Sequence, residues 1–186
     1  MYAPGHVGIA LLCYSPVAAL LTHNGRHRER RAGTVGVLVC AALPDADLYI
    51  IQLMHRGITH TLWMALAVAL VFGITGWATG RHGSRAASSA RFGFAVGALG
   101  VGSHLAGDVI TPLGLRPLYP LSDATYSLAL VYSRTPAVNV AFFALGVGAF
   151  AASHALARAG RLTVLPGVTD APRGNAPVLG EGDAGP

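Results

Sequence analysis

The sequence predicts an all-α, multi-pass membrane bundle of about five spans, and three observations predict it: the composition, the apolar segments and the placement of the arginines. The chain of 186 residues is 53% hydrophobic and only 11% charged, with a mean hydropathy of +0.52. A soluble domain carries roughly a quarter charged residues. Apolar segments run at about 6–21, 34–54, 61–80, 92–110 and 137–157, most of them near the roughly 20 residues that cross a bilayer core. All thirteen basic residues are arginines, clustered in the breaks between these segments.

The first segment sits in "MYAPGHVGIALLCYSPVAALLTHNGRHRERR", whose positive charges follow the apolar stretch instead of preceding it, so it reads as a retained span and not as a secretory signal. In the second, within "CAALPDADLYIIQLMHRGITHTLW", Pro44 denies its N–H to a helix and disfavours the α conformation at Leu43. The span is therefore broken at Pro44, and backbone broken at membrane depth lines a buried or watery cavity. "HRGITH" reads as a short outer connection to the third segment, because His55 and His60 are five apart with Gly57 between them. The third and fourth segments are separated by "RHGSRAASSAR", and the fourth and fifth by "PLGLRPLYPLSDATYSLALVYSRTP". Residues 1–158 form one membrane-embedded domain, and the Gly/Pro-rich stretch 159–186 is read as a disordered cytoplasmic tail.

Orientation follows from the positive-inside rule. With the N-terminus outside, Arg26, Arg28, Arg30, Arg31, Arg81, Arg85, Arg91, Arg158, Arg161 and Arg173 are cytoplasmic, and only Arg56, Arg116 and Arg134 lie outside. The arginines are not interleaved with aromatics on one surface, so no nucleic-acid partner is expected. Together with the abundant Ala and Gly, the absence of lysine reflects a GC-rich coding sequence more than a chosen chemistry. Cys13 and Cys40 fall in apolar runs and act as small hydrophobes; neither a disulfide framework nor a zinc finger is indicated.

Ionisable residues inside apolar segments need partners or a function. On insertion scales an Asp at a helix centre costs about 2.5 to 3.5 kcal/mol, and this chain places Asp45, Asp47 and Asp108 in such segments. His104 and Asp108 are four apart and share one helix face. In the orientation set by the arginines, His6, Asp45, Asp47, His55, His60, His104 and Asp108 all fall in the outer half of the membrane. His23, His27, His82 and His154 fall at the cytoplasmic side and read as solvated or interfacial.

Imidazole and carboxylate together suit Zn, Mn or Fe. Four His and three Asp exceed what one catalytic zinc uses, so either two ions are bound or some residues serve as base and as support for the ligands. Each residue also has a blander reading. His6 fits an interfacial position, Asp45 an N-cap after Pro44, His55 an exposed turn, Arg56 an interface anchor, and His104 with Asp108 a packed pair.

The linked motifs resemble the YdjM-type family of membrane-bound, hydrolase-like proteins: His6, "LPDAD" at 43–47, "HRGITH" at 55–60, "SHLAGDVITPLG" at 103–114 and "LYPLS" at 118–122. The resemblance covers about residues 1–150, and the family is distantly similar to zinc-dependent phospholipase C. It implies His55, His60, His104 and Asp108 as metal ligands, Asp45 or Asp47 as a further ligand or general base, and His6 as an additional ligand.

The expected activity is hydrolysis of a lipid-linked or membrane-proximal ester, foremost a phosphoester, by one or two divalent ions, zinc first. Arg56 would hold an anionic group in a catalytic role beside Asp45 and Asp47, with Thr59, Thr111, Tyr119 and Ser122 orienting the substrate. The alternatives are an ion, proton or metal transporter and a non-catalytic membrane partner with a structural metal. A transporter would spread its ionisable residues through the full thickness.

Overall fold

A computed structural model of the chain describes residues 1–50, 54–80 and 83–160. The expected cytoplasmic tail from residue 161 onward, with Arg161 and Arg173, lies outside the described residues, as do Arg81 and His82. The described chain consists of helices α1 (Ala3–His23), α2 (His27–Ala42), α3 (Leu62–Thr79), α4 (Ser84–Val109) and α5 (Pro136–Arg158), with two short 3-10 helices, Pro44–Tyr49 and Ile58–His60. Among the described residues the only strand-like pairing is one antiparallel bridge, Leu115 to Tyr126.

Four helices, α1, α3, α4 and α5, are long and apolar enough to cross a membrane. The second segment differs from expectation. Its helix starts at His27, so the arginines of "HRERR" ride on its first turns, and it ends at Ala42 after 16 residues. Arginine is a good helix former, and Glu29 in the first turn suits the helix dipole, so helix reaches back into the polar break. α4 likewise starts in the expected break, because "SRAASSAR" favours helix. The interruption at Pro44 falls where expected, with Pro44 opening the first 3-10 helix.

Packing follows two seams. α1 lies along α5, α3 along α4, and α2 fills the space between α1 and α4. The α1–α5 approach is close enough that a Cβ on Gly8 would meet the main chain of Phe142, and one on Gly146 would meet the main chain of Gly8. Small residues at such seams let helices gain dispersion contacts that lipid cannot outcompete. Between the seams, Ala10, Tyr14, Ala18, Val37, Ala41 and Val96 form one core cluster. A second joins Cys40, Val68, Val101, Leu105 and Leu115. The outer surface is inverted relative to a soluble protein, with Leu70, Val71, Ile74 and Trp77 of α3 and Val140 and Leu145 of α5 exposed where lipid would lie.

The segment from Ile110 to Thr135 folds over one end of the bundle. Leu128 N–H donates to Val109 O at 2.7 Å, and Leu130 and Val131 N–H donate to Ile110 O, which satisfies carbonyls left open at the end of α4. Ser127 Oγ donates to Thr111 O at 2.7 Å, and Leu62 N–H donates to Pro117 O at 2.9 Å, tying this cover to the start of α3. The two 3-10 helices sit at the same end, together with the N-terminal turn of α1 and the C-terminal turns of α4.

Candidate metal centre

Beneath this cover the structure gathers the ionisable residues. His60 and His104 are fully buried, and His6, Asp47 and Asp108 nearly so. His104 Nδ1 lies 2.7 Å from the carbonyl of Ala41. A carbonyl only accepts, so Nδ1 carries the proton and Nε2 presents its lone pair inward. His60 Nδ1 is held by Thr59 Oγ1 at 2.9 Å and by Asp47 Oδ2 at 3.3 Å, which turns its Nε2 inward as well. The two Nε2 atoms stand 3.1 Å apart.

Two carboxylates complete the cluster. Asp45 Oδ1 is 3.4 Å from His60 Nε2 and 3.5 Å from His104 Nε2. Asp108 Oδ2 is 3.5 Å from His60 Nε2 and 3.6 Å from His104 Nε2, and it has no hydrogen-bond partner although buried. With metal–ligand bonds of about 2.0–2.1 Å, tetrahedral ligands stand roughly 3.3–3.4 Å apart. The five separations above fall around that value, and two facing lone pairs with two carboxylates are a donor set that a divalent cation satisfies.

His6 extends the cluster. Its ring stacks on His104 with centroids 3.8 Å apart, its Nε2 is 3.6 Å from Asp108 Oδ1, and both of its nitrogens are buried without a partner. Gly107 makes this possible, since a Cβ there would stand 2.9 Å from His6 Nδ1. The potential ligands form two adjoining triads, His6, His104, Asp108 and Asp45, His55, His60.

The remaining predicted residues sit around this set. Asp47 faces the far edge of His60, and its Oδ1 is 3.0 Å from His55 Nδ1 while its Oδ2 accepts from Thr59 Oγ1 at 2.7 Å. It thus orients two imidazoles instead of joining the central four. Asp47 lies outside the spanning helices; burial pushes its carboxyl up, and the bonds from His55 and Thr59 reverse this and hold it below its ordinary value.

Arg56 has a left-handed backbone, φ +60°, which strained surroundings must hold in position. Its NH2 donates to Asp108 Oδ1 at 2.6 Å, and its NH1 donates to Gly114 O at 2.6 Å and to Thr111 Oγ1 at 3.3 Å. Arg56 and Thr111 therefore anchor Asp108. Tyr119 and Ser122 are not brought to the centre: Tyr119 lies under the Arg116 guanidinium, 4.6 Å from its ring centroid, and the Ser122 hydroxyl accepts from Ala124 N–H at 3.3 Å.

Two clefts reach the centre. One, of about 260 Å³, is walled by Ala3, Val7, Ala42 and Ala46, with His6 and Asp45 among its lining residues. The other, of about 280 Å³, is lined by His55, Arg56, Ser133 and Arg134 together with Tyr2.

Asn139 escaped the sequence reading. Buried at 3% exposure, it accepts from Tyr2 N–H at 2.9 Å and donates to Ser133 O and Thr135 O, each at 2.9 Å. An amide in an otherwise apolar fifth segment was the available signal.

Against known families, the profile described as YdjM inner membrane protein matches residues 1–168. No curated protein and no solved structure matches the chain.

Proposed function

The chain belongs to the YdjM inner membrane protein family, and from its buried donor cluster we propose that it is a metal-dependent hydrolase of a lipid-linked phosphoester. The observation that carries this reading is the set of separations of 3.1 to 3.6 Å among Asp45 Oδ1, His60 Nε2, His104 Nε2 and Asp108 Oδ2. These four residues would hold the ion, and His6 supplies a further donor beside them. Zinc is the leading candidate for a nitrogen and oxygen set of this size, with Mn and Fe next.

The chemistry a divalent ion supplies in such a centre is Lewis-acid polarisation of a phosphoryl oxygen and a lower pKa for water. The chain's own groups supply the rest. His55, with its Nδ1 held by Asp47 and its side chain 42% exposed, is the group suited to accept a proton from water and return it to the leaving group. Arg56 neutralises Asp108 and fixes its angle. The apolar cleft beside His6 and Asp45 gives a hydrocarbon chain a lateral way in from the bilayer, and the cleft beside His55, which carries Arg56 and Arg134, gives the head group a way to water.

The test is metal analysis of the purified full chain, followed by assays with a panel of phosphoester and carboxyl-ester lipids. The same measurements on His104→Ala and Asp108→Asn complete it. Stoichiometric divalent metal with phosphoester cleavage, both lost in the two variants, is the expected result. A folded wild-type protein without metal would sink the proposal, and bound metal without cleavage of any ester would make the centre a structural staple.

A further inference from the structure

Arg56 is largely taken up within the protein, its NH1 by Gly114 and Thr111 and its NH2 by Asp108, and its charge is paired with that carboxylate. Arg134 lines the same cleft as His55 and Arg56, is exposed, and makes no side-chain hydrogen bond or ion pair among the described residues. Its backbone is pinned on both sides, since Asn139 Nδ2 donates to Ser133 O and Thr135 O and Asn139 Oδ1 binds Tyr2 N–H. No carboxylate lines this cleft among the described residues. An unpartnered guanidinium on a held backbone, lining a cleft without carboxylates among the described residues, is a receptor for an anion, and guanidinium pairs well with phosphate oxygens.

Resting on the hydrolase reading above, we infer that the substrate carries a second phosphate on the water side of the bond that is cut, and that Arg134 binds it: the substrate class is a lipid diphosphate. The phosphate next to the lipid lies at the His/Asp centre, and the outer phosphate lies against Arg134. In the reaction the oxygen of water bonds to the inner phosphorus and the anhydride P–O bond breaks. One water proton passes through His55 to the departing inorganic phosphate, and the other stays on the lipid monophosphate. Arg134 thus selects the substrate and stabilises the charge of the leaving group, while the apolar cleft beside His6 takes the chain.

The test uses the full chain in detergent micelles with divalent metal, and compares farnesyl diphosphate with farnesyl monophosphate. Wild type should favour the diphosphate in kcat/KM, and Arg134→Gln should reduce that preference by about tenfold or more, chiefly through KM, with Arg134→Lys restoring much of it. Binding of the non-hydrolysable farnesyl methylenediphosphonate gives an independent readout. If both phosphates are cleaved without preference and Arg134→Gln alters nothing, the Arg134 inference is overturned and the hydrolase reading stands. If neither is cleaved but the diphosphonate binds in an Arg134-dependent way, the anion subsite stands and the hydrolase reading falls. Neither cleavage nor Arg134-dependent binding overturns both.

Discussion

His60 Nε2 and His104 Nε2 face one another across 3.1 Å in a fully buried space, each with its other nitrogen already engaged. Two lone pairs at that distance repel unless a cation lies between them or one ring is protonated. The expected outcome is one divalent ion per chain or more, and a chelator should lower the thermal midpoint of the wild type but not that of His104→Ala. Binding to the folded state alone stabilises by about 2.7 kcal/mol at a hundredfold excess over Kd. Scanning calorimetry in detergent with and without chelator measures it.

Asp47 tests orientation apart from coordination. It sits behind His55 and His60, so Asp47→Asn should keep the fold and weaken metal affinity or activity by about 10- to 100-fold, the usual cost of losing a carboxylate behind a ligating histidine. Titration of the apo-protein with Zn²⁺ reads this directly. An unchanged affinity with unchanged turnover would remove Asp47 from the centre.

Breaking the pair between Arg56 and Asp108 removes the nearest charge from a buried carboxylate and leaves it the Met1 ammonium, 3.1 Å from its Oδ1. Arg56→Gln is expected to destabilise the protein by about 3–5 kcal/mol in the metal-free state. Arg56→Lys should recover only part, because an ammonium cannot match the forked contacts to Asp108 and Gly114. Chemical unfolding of the three apo-proteins in detergent supplies the comparison.

Gly107 carries a narrower prediction. Alanine there would bring a methyl group 2.9 Å from His6 Nδ1, too near without movement of the ring. Gly107→Ala should therefore alter metal affinity or turnover while leaving helicity by circular dichroism unchanged. His6→Ala should give a similar loss, and a double mutant should be little worse than either single variant.

Much of this centre was legible in the sequence because costly residues in apolar segments are few. Pro44 announced the break, and the four-residue spacing of His104 and Asp108 announced their shared face. The division of labour between Asp45 and Asp47 was not legible. A 3-10 helix has about three residues per turn, so carboxylates two apart point to different sides, and the pair meets His60 from opposite edges, Nε2 and Nδ1. The partners that hold Arg56, namely Thr111, Gly114 and Asp108, were not legible because they lie more than fifty residues away. The early start of α2 was hidden by charge, although arginine and glutamate support helix as well as many apolar residues do.

The seam between Gly8 and Gly146 joins the first helix to the last, and His6 is only two residues before Gly8 in the sequence. In chain order His6, the two 3-10 helices and α4 all precede α5, the helix against which α1 packs most extensively. The centre is therefore expected to reach its geometry only when the final span arrives, with every ligand already present but His6 not yet held in place. A protein ended before Pro136 should insert yet retain little metal. Supplying α5 as a separate membrane segment should restore the ion, which would make the last helix a timing device as well as a wall.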